Sequence, residues 1–166
     1  MGPTIVAIIG SCIGGFSAML GASGLAAKWR PTAFLGVLAT TTLLVTALPL
    51  LMPAVASKAH FRAEIYVAAV LAELLAIVFV ASPPLKLHRR KDLFLPAAGL
   101  IVGLNFIGLW RAMGSSTFLF IALAMCLISA AALFVPESET STNPRRLVVG
   151  FGCAAVLWAN AGATLV

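Results

Sequence analysis

Residues 64–81 read EIYVAAVLAELLAIVFVA, and Glu64 at the start and Glu73 in the middle are the only charged residues in this stretch. A helix of about 20 apolar residues crosses the hydrocarbon core of a bilayer, which is about 30 Å thick. The stretch therefore predicts a transmembrane helix. Pro83 and Pro84 follow it, and because proline cannot continue a helix, we expect the helix to end there.

Five further apolar stretches flank this one, separated by short segments that carry basic residues or proline. Isolated spans would leave their small and polar faces against lipid, so packing of all six is favoured. The sequence predicts an all-α fold, a polytopic transmembrane helix bundle of about six spans in a single domain over residues 1–166. The predicted spans are 4–27, 32–52, 64–81, 93–110, 116–135 and 147–166.

The composition supports a membrane location. The chain is 61% hydrophobic and 10% charged, whereas soluble domains carry about 25% charged residues. Its net charge of +6 does not indicate nucleic-acid binding, because the basic residues lie between apolar spans instead of forming a patch with interleaved aromatics. We therefore expect the protein to be embedded in the lipid bilayer and not to bind nucleic acid.

The distribution of lysine and arginine predicts an orientation, because these residues are retained on the cytoplasmic side. Loops one, three and five contain Lys28, Arg30, Lys86, Arg89, Arg90, Lys91, Arg145 and Arg146. Loops two and four contain Lys58, Arg62 and Arg111. This asymmetry predicts that both termini lie outside. The basic residues of the third loop either set this topology or bind anionic lipid headgroups; they are Lys86, Arg89, Arg90 and Lys91.

Glu73 is the most unusual residue of the predicted spans. A charged side chain at the centre of a membrane helix costs about 2.5–3.5 kcal/mol on insertion scales, so the group must be neutral, paired or hydrated. Helical spacing places Tyr66, Ala69, Glu73 and Ala76 on one face. Two interpretations remain open: Glu73 couples transport to a proton or cation, or it is a protonated residue hydrogen-bonded across a helix interface.

Asn105 and Asn160 each lie within an apolar span, where lipid offers no hydrogen-bond partner. Either amide is a candidate partner for Glu73 across the bundle, and Tyr66 is a further candidate near the midplane. Asparagine joins helices more often than it contacts ligands. Both uses fit the sequence.

Small residues recur at steps of three and four, which places them on one stripe of a helix. Such a stripe allows close approach of a second helix, within one copy or between copies, and it can also expose backbone carbonyls along a substrate path. The stripes contain Gly10, Gly14, Ser17, Gly21 and Gly24 in the first span and Gly99 and Gly103 in the fourth.

The sequence offers no complete catalytic set. Cys12, Cys126 and Cys153 lie within apolar spans, with no C-x-x-C pair and no histidine partner nearby in sequence, so they are interpreted as small buried hydrophobes. Hydrolysis would need a nucleophile with a base, or metal ligands. We therefore predict no enzymatic activity, no metal site and no cofactor.

Two segments carry a resemblance to a known group. Residues 102–107 (VGLNFI) and 150–158 (GFGCAAVLW) resemble small multi-pass inner-membrane proteins of bacteria. In those proteins a histidine tends to occupy the position of Asn105, so this chain lacks a titratable group there. The resemblance implies a location in the bacterial inner membrane and implies no activity.

Two functions are compatible with these features. The first is a small transporter or permeation protein, in which Glu73 exchanges a proton or cation and Asn105 and Asn160 help to line a midplane site. The second is a structural or partner-binding membrane subunit, whose glycine stripes dock other helices. Either protein could form a homo-oligomer or bind another membrane subunit.

Overall fold

The computed structural model describes residues 3–51, 62–81, 91–136 and 142–163. This part of the chain forms six α-helices and contains no strand. The helices are α1 Pro3–Ala22, α2 Arg30–Leu51, α3 Ala63–Ala81, α4 Lys91–Met113, α5 Thr117–Phe134 and α6 Pro144–Ala163. The predicted all-α fold is therefore confirmed.

Four segments within these helices are long and apolar enough to cross a membrane, and Ile8–Ala22 of α1 is a shorter apolar helix. The four segments are Arg30–Ala47, Leu93–Met113, Thr117–Phe134 and Pro144–Ala163. Large apolar side chains also cover the outside of the bundle, with Phe134 87% and Leu75 70% exposed. Such surfaces suit hydrocarbon rather than water, so the fold is that of a membrane protein.

The first helix is shorter than the sequence pattern predicts. It ends at Ala22, before the predicted limit at residue 27, because a turn replaces the helix from Ser23 onward. The hydroxyl of Ser23 donates to the carbonyl oxygen of Leu20 at 2.6 Å. The backbone N–H of Asn143 donates to the carbonyl oxygen of Gly24 at 2.7 Å. Carbonyl groups at the helix end thus gain partners outside α1.

The last helix begins earlier than predicted, at Pro144 instead of residue 147. Asn143 precedes it, and the Oδ1 atom of Asn143 accepts a hydrogen bond from the backbone N–H of Arg146 at 3.1 Å. Asparagine is a favoured N-cap residue, and proline is well tolerated at the first helical position because its missing N–H is not needed there. The cap therefore extends α6 into the preceding polar loop.

Helix contacts define the arrangement of the bundle. Among the described residues, α1 packs between α2 and α6, while α4 packs against α3, α5 and α6. The core between α4, α5 and α6 includes Met125 and Leu157, both fully buried, and the stacked rings of Phe106 and Phe118 with centroids 6.3 Å apart. In contrast, α3 contacts α4 alone among the described helices, so most of its surface faces outward.

Candidate membrane cavity

Glu73 pairs with Asn105 across the interface of α3 and α4. The side-chain amide Nδ2 of Asn105 donates a hydrogen bond to Oε2 of Glu73. At 1.5 Å per residue, Glu73 lies about 15 Å along α3 from Ala63, which is about half the thickness of a hydrocarbon core. The structure therefore joins two of the residues that the sequence singled out, near the middle of α3.

An amide suits a carboxyl group in either protonation state, because it carries both a donor and an acceptor. Nδ2 of Asn105 donates to Glu73 in the structure, whereas the buried Oδ1 atom has no hydrogen-bond partner among the described residues. A rotated amide would present Oδ1 to a protonated carboxyl. Asn105 can thus stabilise the carboxylate as a donor and the carboxylic acid as an acceptor.

Both residues line a cavity of about 590 Å³ that is formed by α1, α3, α4, α5 and α6. Most of its lining is apolar. In the described part of the chain α1 and α3 do not contact each other, although both border the cavity. Ile9 and Phe16 of α1 line the cavity and are also 43% and 65% exposed, so the cavity reaches the outside of the bundle at α1.

Polar side chains are unevenly distributed along this cavity. Tyr66 lies near the start of α3 and Asn160 near the end of α6, and both line the cavity. Because α3 and α6 run in opposite directions, these two residues lie towards the same end of the bundle, where α1 begins. Phe94 and Val149 line the opposite end. Tyr66 and Asn160 thus lie away from the midplane that the sequence predicted for them, whereas Ser17 lines the cavity near Gly150, towards the opposite end.

The charge of the cavity depends on Glu73. Among the described lining residues, Glu73 is the only acidic side chain, and none is lysine, arginine or histidine. The searched part of the chain also contains no group of three histidine, cysteine or acidic side chains that could hold a metal ion. An ionised Glu73 would therefore make the cavity negative, with no described basic side chain lining it to compensate.

Glycine residues of the first stripe bring α1 against α6. A Cβ atom on Gly14 would lie 2.7 Å from Nε1 of Trp158, and one on Gly21 would lie 3.0 Å from the Cα atom of Gly150. Real Cβ atoms essentially never approach other atoms as closely as 2.7 Å. The absence of side chains at these positions therefore permits the close contact.

The other members of the stripe lie along the same interface. Gly10 approaches the backbone of Leu157, and Gly24 approaches the start of α6. The carbonyl oxygen of Ser17 would lie 2.7 Å from a Cβ atom on Gly150, and Ser17 also lines the cavity. The first stripe of α1 thus packs against α6 of the same chain, and residues of this contact form one wall of the cavity.

In the fourth helix, Gly103 faces α5, and Gly99 faces both α5 and α6. The side chains nearest to Gly99 are Ser129 and Val149. A Cβ atom on Gly103 would lie 2.8 Å from the Sγ atom of Cys126. Gly99 also lines the cavity. The second stripe therefore lies at a helix interface within the chain.

Sequence reasoning missed two features of this region. The indole Nε1 of Trp158 donates to the carbonyl oxygen of Ser11 at 3.2 Å and ties α6 to α1. The cavity itself was also missed, because it arises from the packing of five helices, and no local pattern encodes that arrangement. The presence of a tryptophan within an apolar span was the one available signal, since an indole N–H in hydrocarbon needs a partner.

The remaining predictions concern the basic residues of the third loop and the three cysteines. Lys86, Arg89 and Arg90 lie outside the described residues, and Lys91 is the first residue of α4, with its side chain not described. The three cysteines are free: Cys12 is exposed, Cys126 is partly buried and Cys153 is buried. Of these, Cys153 lines the cavity.

Comparisons with protein-family models, curated proteins and solved structures found no match to this chain. Function is therefore inferred from the site alone.

Proposed function

We propose that this protein is a small transport or permeation protein of the bacterial inner membrane, in which Glu73 carries the coupling proton. The observation that carries the proposal is the Glu73–Asn105 pair on the wall of an apolar cavity at mid-helix depth. A carboxyl group at this depth is costly unless it is neutral, paired or hydrated. Functional use is the default expectation for such a residue, particularly when it lines a cavity.

A proton fits this site better than a metal cation. Calcium takes six to eight oxygen ligands, and magnesium takes six, of which several are waters. At Glu73 the described site provides one carboxyl group, which accepts a hydrogen bond from the amide of Asn105. A single carboxyl group and an amide that can donate or accept are sufficient to exchange a proton. We therefore assign the coupling role to proton uptake and release at Glu73.

Substrate would enter the same cavity beside this pair. Asn160 and Tyr66 provide hydrogen-bonding groups at one end, and the apolar lining buries the rest of a ligand. With both termini outside, as the lysine and arginine distribution predicts, the end of the cavity that carries Tyr66 and Asn160 would face the outside. Binding and proton exchange would then occur in one space, which is the basis of coupling.

A structural or partner-binding subunit is the alternative, and one observation favours it. Helix α3 contacts only α4 among the described helices, and it presents Leu71, Leu75 and Phe79 to the outside. A second copy or another membrane subunit could cover this face. In that case the Glu73–Asn105 hydrogen bond would only join α3 to α4.

Proton flux into proteoliposomes distinguishes the two functions. Purified protein is reconstituted with an internal pH-sensitive dye, and a potassium diffusion potential drives protons inward. The proposal predicts acidification faster than in empty liposomes, and loss of this increment in Glu73→Gln. The matched control is Glu64→Gln, which alters an exposed glutamate in the first turn of the same helix and should keep the flux. Equal flux in wild type and Glu73→Gln would refute the proposal and favour the structural alternative.

A further inference from the structure

We infer that the cavity binds a lipophilic organic cation, which is a small molecule with a delocalised or amine-centred positive charge and an aromatic or alkyl body. This inference rests on the proposed function and names the substrate class of the same cavity. Three observations carry it: the size of the cavity, the isolation of Glu73 among apolar groups, and the aromatic rings in the lining.

The size of the cavity suits an organic molecule and not a bare ion. Its volume is about 590 Å³, within the range of about 300–1,000 Å³ that is typical of small-molecule sites. The lining is largely apolar, so a strongly hydrated ion would lose its water without replacement. A bulky molecule with apolar substituents would instead gain by leaving water.

The carboxyl group of Glu73 favours a ligand with a positive charge. Among the described lining residues Glu73 is the one acidic group, and no basic side chain offsets it. An anion would therefore meet an unfavourable field when Glu73 is ionised, and a cation a favourable one, in surroundings where charges are poorly screened. One cationic ligand and one proton would compete for the same carboxyl group.

Aromatic rings provide a second, independent attraction for cations. Phe16, Phe94, Phe106 and Phe118 line the cavity together with Tyr66. A cation over the face of such a ring is stabilised by its quadrupole, most strongly where water is excluded. Ile9 and Phe16 line the cavity and are also 43% and 65% exposed on the outside of the bundle, which gives a lipophilic molecule access from the bilayer.

Binding of tetraphenylphosphonium tests the inference, because tetraphenylborate has nearly the same shape and the opposite charge. The protein is reconstituted in nanodiscs of zwitterionic lipid, and free probe is measured with an ion-selective electrode against empty nanodiscs. We expect saturable binding of tetraphenylphosphonium and none of tetraphenylborate above the empty-disc background. The affinity of Glu73→Gln should fall about tenfold or more, since the only described charge in the lining is removed.

Two further variants separate a binding effect from a folding effect. Ala98→Leu fills part of the cavity without adding an aromatic ring or changing the charge, and it should weaken binding although Glu73 is intact. Glu64→Gln should bind as the wild type does, because Glu64 lies outside the cavity lining. Each variant must elute from size-exclusion chromatography as the wild type does.

The inference is overturned if tetraphenylphosphonium shows no saturable binding, if tetraphenylborate binds equally, or if Glu73→Gln binds with wild-type affinity. Its failure can be told apart from failure of the proposed function. Glu73-dependent proton flux without tetraphenylphosphonium binding would leave the function standing and remove this substrate class. Glu73-dependent binding without proton flux would support the ligand class and refute transport coupled to protons.

Discussion

The side-chain amide of Asn105 donates a hydrogen bond to the carboxyl group of Glu73, and this bond joins α3 to the one described helix that it contacts. The backbone supports the same interface at the start of α3, where the N–H of Arg62 donates to the carbonyl oxygen of Ala112 at 3.0 Å. The position of α3, and with it one wall of the cavity, therefore depends on its contact with α4, the one described helix that it touches.

Replacement of Asn105 by leucine should loosen α3, because the carboxyl group of Glu73 loses its amide partner in surroundings poor in water. Side-chain hydrogen bonds between membrane helices contribute about 0.6 kcal/mol on average and about 1.7 kcal/mol at most, so a loss of stability within this range is expected. Thermal unfolding in detergent measures it. A double-mutant cycle with Glu73→Leu should show coupling between the two positions, and strictly additive effects would contradict the pairing.

The contact between α1 and α6 should be intolerant of a single methyl group at Gly150. A Cβ atom there would lie 2.7 Å from the carbonyl oxygen of Ser17, so Gly150→Ala must push two backbones apart. Overpacking costs about 1–3 kcal/mol, and the melting temperature should fall accordingly. Gly36→Ala is the matched control, because an added Cβ there meets nothing within 4 Å. Equal effects of the two substitutions would contradict the close approach of α1 and α6.

The cap of the sixth helix should contribute measurably to stability. In Asn143→Ala the backbone N–H of Arg146 loses its acceptor Oδ1, which typically costs about 0.5–2 kcal/mol. Ser116→Ala is a suitable comparison, because Ser116 is the N-cap residue of α5 and its side chain makes no capping hydrogen bond. Thermal unfolding should rank Asn143→Ala well below Ser116→Ala. The reverse order would show that Asn143 does not cap α6.

The exposed face of α3 should lie in lipid. Leu75 is 70% exposed at mid-helix, and a cysteine there should react slowly with a water-soluble maleimide, because thiolate formation needs water. A cysteine in place of Glu64, at the exposed start of α3, should react quickly. The comparison requires a background in which Cys12, Cys126 and Cys153 are alanine. Fast labelling at both sites in intact membranes would contradict a transmembrane position for α3.

Local patterns predicted much of this fold. The apolar runs and the prolines between them placed α3 at residues 64–81, and the structure has it at Ala63–Ala81. The small-residue stripe likewise identified the side of α1 on which Gly14 and Gly21 make their contacts. Periodicity works here because it depends only on neighbours along one helix.

Contacts between distant segments were not predictable in this way. The stripe on α1 could have packed against any helix or a second copy, and only the structure shows that its partner is α6. The same holds for Glu73, for which Asn105 and Asn160 were equal candidates until the structure joined Asn105 to it. Helix ends also shifted where a distant residue supplied the hydrogen bond, as Asn143 does at Gly24.

In the proposed function, Glu73 exchanges a proton while it is paired with Asn105 on the wall of the cavity. Infrared difference spectra of the protein in nanodiscs, between acidic and neutral buffer, test this most directly, because they report the C=O stretch of protonated carboxyl groups. The account predicts a carboxyl component that Glu73→Gln removes, that Glu64→Gln leaves in place and that Asn105→Leu shifts in frequency. Identical spectra for wild type and Glu73→Gln would contradict it, because Glu73 would then exchange no proton.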